Sequence, residues 1–104
     1  MILQFNEIKS ALPRDKLEAV ARDRRAPFRD VEGLVQVYYL ERDEADSYGS
    51  VMIWEDRAAM EAHRASDLPA AHGQALGITD ADVRVYELLF SLRDALETGR
   101  GWMA

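Results

Sequence analysis

Residues 33–57 read GLVQVYYLERDEADSYGSVMIWEDR. Leu34 to Leu40 is rich in β-branched and aromatic side chains, the composition of a strand. Glu41 to Ser47 is polar and predicts a solvated hairpin loop. Tyr48 to Trp54 returns as a second strand. Glu55-Asp56-Arg57 then opens a helix, with acids in the first turn where the helix dipole favours them. Alternation puts Gln36, Tyr38 and Leu40 on one face and Val35, Val37 and Tyr39 on the other. Neither face is plainly polar, so this hairpin expects cover on both sides. A chain of 104 residues has few elements with which to provide it, which points to a second subunit.

Outward from the hairpin, Met1 to Ile8 reads as a first strand with Leu3, Phe5 and Glu7 on one face and Ile2, Gln4, Asn6 and Ile8 on the other. Two amides side by side on one strand face are unusual for a face that is only core. Pro13 precedes an amphipathic helix with Leu17, Val20, Ala21, Arg24, Phe28 and Val31 at three- and four-residue spacing. Pro27 should kink or restart it, and Gly33 suits the left-handed cap. A second, alanine-rich helix is expected over Asp56 to Ser66. Pro69 begins a further turn that Gly77 closes, and Ala81 to Phe90 reads as a fourth strand. The order strand, helix, strand, strand, helix, strand predicts an α+β, ferredoxin-like βαββαβ domain over residues 1–92, with a four-stranded antiparallel sheet. Residues 93–104 are expected to form a C-terminal tail with one or two helical turns, and Trp102 and Met103 in it would dock on the body or on a partner. The helices cover one sheet face. Leu3, Phe5, Val35, Val37, Val51 and Ile53 are expected on the other, bare face, where two such sheets would pack into a closed homodimer.

Bulk properties narrow the functional classes. Hydrophobic residues make up 48% and charged residues 31%, ordinary for a globular domain. The net charge of −6 and pI of about 4.8 argue against broad electrostatic binding of nucleic acid or anionic membrane. There is no cysteine, hence no disulfide, no thiolate nucleophile and no cysteine-bound metal. No run approaches the roughly 20 apolar residues of a membrane span, and the N-terminus lacks a signal-peptide pattern. A cytoplasmic protein is expected.

The segments LQFN, EGLVQVYYLE and YGSVMIWEDRAAMEAH together resemble the dimeric α/β-barrel superfamily, and within it the YdhR-type monooxygenases of the wider antibiotic biosynthesis monooxygenase group. The resemblance spans roughly residues 1–92. It implies a homodimeric α/β barrel with a pocket in each subunit between sheet and helices. It also implies oxidation of phenolic, quinol or polyketide substrates by dioxygen without bound metal or flavin. In polyketide-oxidising members a tryptophan at the end of the third strand belongs to the pocket, a position Trp54 matches, and Ser50 stands where a pocket asparagine is found. In haem-degrading members an asparagine on the first strand, a tryptophan on the second helix and a histidine after it form the site; Asn6 matches the first and His72 the third, while His63 stands about where the tryptophan is found.

The residues themselves supply candidate chemistry. Trp54 offers a flat face to stack an aromatic ligand, or fills the seam between sheet and helix. Gln4 and Asn6 are suited to bonding a ligand carbonyl or phenol, or else the first helix or water. His63 and His72, the two histidines, are candidates to take a phenolic proton, so that an electron-rich phenolate reduces dioxygen; both also read as surface residues of an alanine-rich helix. His63 and Asp67 are too few to hold a metal. Tyr38 is the first choice for a pocket hydroxyl because it shares a face with Gln36, and Ser50 and Met52 complete the substrate-binding set. Arg24, on the inward stripe, is a candidate anion contact at the rim. The expected function is a cofactor-independent monooxygenase acting on a small aromatic, quinol or polyketide-like substrate. The alternatives are a non-catalytic dimeric binder of a small hydrophobic metabolite and a closed-core structural barrel.

Overall fold

The computed structural model describes residues 1–44 and 47–93. Four strands and four helices follow in the order β1 (Ile2–Ser10), α1 (Arg14–Asp23), α2 (Arg25–Arg29), β2 (Leu34–Glu41), β3 (Ser47–Trp54), α3 (Arg57–Arg64), α4 (Leu68–Ala75) and β4 (Ile78–Glu87). The strands make one sheet in the order β2-β3-β1-β4, and every pairing is antiparallel. This is the ferredoxin-like arrangement. The two strands of the central hairpin each run one residue further into the turn than the composition predicts, ending at Glu41 and resuming at Ser47. The expected tail helix, with Trp102 and Met103, lies outside the described residues.

The helices form and stop for local reasons. Pro27 restarts the first helical stretch as α2 and sits in its first turn, where its missing N–H would have had no intrahelical partner anyway. Asp56 caps α3, its side chain accepting from the N–H of Ala59 at 2.8 Å, an arrangement worth about 1 kcal/mol. Gly77, at φ +63°, turns the chain directly from α4 into β4. Its carbonyl accepts from Ala11 N at 2.9 Å. The fourth strand therefore begins at Ile78 rather than Ala81, and it ends at Glu87 rather than Phe90.

The register decides which side chains meet the helices. Leu34 pairs with Trp54 while Gln36 pairs with Ile53, so Val35 is an extra residue in β2, a β-bulge that shifts the alternation by one. Beyond it Val37, Tyr39 and Glu41 oppose Met52, Ser50 and Tyr48 on the helix side, and Gln36, Tyr38 and Leu40 lie on the open side. Val37 is thus not an open-face residue, contrary to the expectation; it packs against the cluster formed by Ile2, Phe28, Met52, Trp54 and Met60. Leu3, Phe5, Val51 and Ile53 do share the open face, joined by Tyr86, which meets Phe5 edge-on at 5.7 Å.

Gly33 ties the hairpin to α3. It adopts φ +79°, and a Cβ placed there would lie 2.3 Å from Ala59 Cβ. Its carbonyl accepts from Glu55 N at 2.8 Å. Gly33→Ala imposes both a left-handed strain and an overlap, and should lower stability by about 2–4 kcal/mol. Urea denaturation checks this; a midpoint equal to that of the parent chain would refute the close approach of β2 and α3.

Candidate functional site

The core is divided. One cluster contains Ile2, Phe28, Met52, Trp54 and Met60, the other Leu17, Tyr48 and Leu76. Between them, on the helix side of the sheet, lies a cavity of about 1100 Å³. The sequence explains the gap. Along β1 the helix-facing positions read Ile2, Gln4, Asn6, Ile8, and opposite them on β3 stand Trp54, Met52, Ser50 and Tyr48. Each end of this surface is apolar or aromatic and joins a cluster. The middle carries two amides and a hydroxyl, which no apolar helix face can cover without leaving polar atoms unpaired.

Those polar groups satisfy one another in a fixed direction. The indole Nε1–H of Trp54 donates to Gln4 Oε1 at 3.0 Å. Gln4 Nε2 donates to Asn6 Oδ1 at 2.9 Å, and Asn6 Nδ2 donates to Ser50 Oγ at 3.0 Å. An indole can only donate. Gln4 must therefore turn its oxygen to Trp54 and its amino group to Asn6, and Asn6 must do likewise toward Ser50. The orientation of both amides follows from one donor-only group. Ser50 Oγ accepts the last bond, and its own proton has no acceptor among the described residues, so it is left to point at an occupant of the cavity. Chains of this kind polarise along their length, which makes the final hydroxyl a better donor.

The two histidines come from different helices. His63, on α3, is buried; its ring centroid lies 5.2 Å from that of Trp54 and 5.9 Å from that of Phe28. His72, on α4, meets Phe28 edge-on at 4.7 Å. Both line the cavity. Loss of water around His63 lowers its pKa below the ordinary histidine value. His72 is depressed to about 4, first by burial and then by the charges of Arg24 and His63. Both rings are therefore neutral near pH 7, and the charged part of the cavity lining comes from arginines and acids of α1, α2, α3 and the end of β2, most of them exposed.

Charge gathers at the margin. Arg14 pairs with Glu41, donates to the carbonyls of Arg42 and Glu44 at 3.0 and 3.3 Å, and lies over the Tyr48 ring at 5.6 Å. These groups are well exposed, so the ion pair closes one end of the cavity more than it stabilises the fold. Tyr39, opposite Ser50, is 46% exposed. Burial of its hydroxyl raises its pKa, partly offset by Arg25, so it stays a neutral phenol.

The structure brings together Gln4, Asn6, Ser50, Met52, His63 and His72 around one space. Three other expected residues are placed differently. Trp54 is 0% exposed and does not line the cavity; it orients the polar chain from beneath and packs within the core cluster. Arg24 stays out of the lining and directs its Nε to His72 Nδ1 at 3.4 Å. Tyr38 borders the cavity but pairs with Val51 on the open sheet face, because the bulge at Val35 reverses the assignment of β2 faces. Tyr39 is the residue that inspection of the sequence missed, and a one-residue bulge leaves no mark in the alternation that would reveal it. Phe28 was legible as part of the inward stripe of the first helix, but not as the ring between both histidines.

Comparison with solved structures places this fold beside known ones. SnoaB, a cofactor-independent oxygenase from Streptomyces nogalater, superposes with a TM-score of 0.74 at 22% identity, covering 89% of this chain and 97% of its own. Rv0793 from Mycobacterium tuberculosis gives a TM-score of 0.67 at 18% identity, covering 88% of this chain and 98% of its own. At these identities the likeness is one of fold. No protein of curated function matches the sequence. Residues 6–74, well over half of the chain, match the family model for antibiotic biosynthesis monooxygenase, and they include Asn6, Ser50, Trp54 and both histidines, though not Gln4. The chain therefore belongs to the antibiotic biosynthesis monooxygenase family.

Proposed function

We propose that this protein is a cofactor-independent oxygenase, working as a homodimer, whose cavity takes a flat ring-bearing molecule with a carbonyl or phenol oxygen. The single observation that carries the reading is the cavity itself: about 1100 Å³, apolar at its ends and floored by a hydrogen-bond chain whose last donor, Ser50, has no protein acceptor among the described residues. A volume of this order suits a molecule of two to four fused rings. The floor suits one whose oxygen receives the Ser50 proton.

The chemistry follows from the substrate. A ring methylene beside a phenol or carbonyl loses a proton, and the resulting anion passes an electron to dioxygen. The radical pair combines to a hydroperoxide, which collapses to a carbonyl and water. The group CH2 and O2 thus become C=O and H2O, with no outside reductant. Ser50 steadies the negative oxygen of the anion, and the neutral His63, with no protein hydrogen bond to its ring among the described residues, is the group available to take the proton.

Two tests follow. Oxygen uptake with anthrone, whose ring methylene is conjugated with the carbonyl across the ring, should exceed the buffer rate, and Ser50→Ala should reduce the enzymatic part about 5- to 30-fold, the loss of one strengthened hydrogen bond. A binding isotherm for 1,4-naphthoquinone without any oxygen uptake would instead make the protein a non-catalytic binder, a reading favoured by the low basicity of His72. Neither binding nor uptake would overturn both.

The dimer rests on the open sheet face. Phe5, Leu40 and Tyr86 are 37%, 45% and 53% exposed there, and an apolar face of this kind is covered in stable proteins. Native mass spectrometry at micromolar concentration should return the mass of two chains, and Phe5→Asp should shift it to one. A single-chain mass for the unaltered protein would remove the paired-sheet assembly.

A further inference from the structure

Arg24 caps the C-terminal end of α1. Behind the cavity wall, its Nε–H points at Nδ1 of His72 over 3.4 Å. A guanidinium has five donors, no acceptor, and keeps its charge in any protein. A lone pair must therefore stand on Nδ1, and in a neutral imidazole the proton then sits on Nε2. Nε2 has no protein partner among the described residues. Yet none of the described, non-exposed residues leaves a fully buried side-chain nitrogen or oxygen unsatisfied. Nε2 thus keeps accessible surface, and His72 is one of the residues that line the cavity.

We propose that Arg24 is a positioning residue that locks His72 in the Nε2–H tautomer, so that this histidine donates a hydrogen bond to an acceptor oxygen of the ligand and does not act as the base. The usual device for a histidine base is the reverse: an acceptor holds Nδ1–H so that Nε2 offers its lone pair. Here the orienting partner is a cation. The groups facing the ring agree with this. Phe28 of α2 is apolar, His63 of α3 is itself neutral near pH 7, and Arg24 of α1 adds a positive charge that opposes protonation. The cavity then holds two uncharged donors, Ser50 O–H and His72 Nε2–H. Together they favour quinone carbonyls and phenolates over ligands that bring only donors. The choice of ligand class rests on the oxygenase reading; the tautomer does not.

The test is a proton–nitrogen correlation spectrum of the free protein labelled in its two histidines, with His72→Gln assigning the signals. From pH 8 down to below 6, His72 should show a protonated Nε2 and an unprotonated Nδ1. It should take its second proton only as the pH approaches 4. Arg24→Met, with Arg24→Gln as a second variant, should give mixed tautomers and a ring that titrates closer to 6.5. Added 1,4-naphthoquinone should shift the Nε2–H signal, and the Arg24 variants should bind it roughly three- to tenfold more weakly, the range of one neutral hydrogen bond. A proton on Nδ1, or a ring that charges near 6.5 in the unaltered protein, overturns the proposal. So does quinone binding that leaves the Nε2–H signal unmoved. If the quinone does not bind at all, the quinone ligand class fails, the oxygenase reading is decided by oxygen uptake, and the tautomer is still decided by the free protein.

Discussion

The hydrogen bond from Trp54 to Gln4 constrains more of this molecule than any other single contact. The tryptophan is wholly buried, and its N–H cannot be left unpaired there except at a cost of about 1–3 kcal/mol. Gln4 meets that need with its oxygen, and the choice propagates through Asn6 to Ser50. A buried group at one end of the sheet thereby sets which atom is offered at its centre. The same tryptophan packs on His63 and joins Phe28 and Met60 in the larger core cluster. The residue that stabilises the seam between β3 and α3 is thus also the one that orients the cavity floor.

Electrostatics separate inside from outside. The chain is acidic overall, with a net charge of −6, yet the polar chain on the cavity floor and both histidines are neutral, and the charges that line the cavity belong to largely exposed side chains. Burial keeps both histidines uncharged, and the ion pairs Arg14–Glu41, Arg22–Glu18, Arg42–Glu7 and Arg84–Asp82 all lie on exposed ground. A floor of aligned neutral dipoles suits a bound group on whose oxygen negative charge develops, because fixed donors need no reorganisation to meet it. The depressed histidine pKa values also couple the fold to acid. An unfolded His72 takes a proton below about 6.5, while the folded one resists until about 4. Stability conferred by the neutral ring is full above the unfolded value and lost as the pH falls through that window.

The sheet serves two surfaces with one set of strands. Its helix side builds the cavity, and its other side carries Leu3, Phe5, Val51, Ile53 and Tyr86. A domain of this size has only two helical hairpins' worth of cover, so the second face is left bare. The bulge at Val35 matters to both. By shifting the alternation of β2 it turns Val37 and Tyr39 to the helices and Tyr38 and Leu40 away from them, so a one-residue insertion decides which tyrosine faces the helix side of the sheet and which the open side.

Legible in the amino-acid order were the succession of elements, the family resemblance, the left-handed turns at Gly33 and Gly77, and the strand face shared by Gln4 and Asn6. Each of these follows from local chemistry: periodicity, proline and glycine conformation, or side chains two apart on one strand. The tertiary structure alone decided what those residues do. Register brought Ser50 beside Asn6 across β1 and β3. The bulge chose Tyr39 over Tyr38. Helix packing put Arg24 against His72, residues 48 positions apart, and sank Trp54 below the cavity. These are relations between distant segments, and no local preference of either partner encodes the atom to which the other will turn.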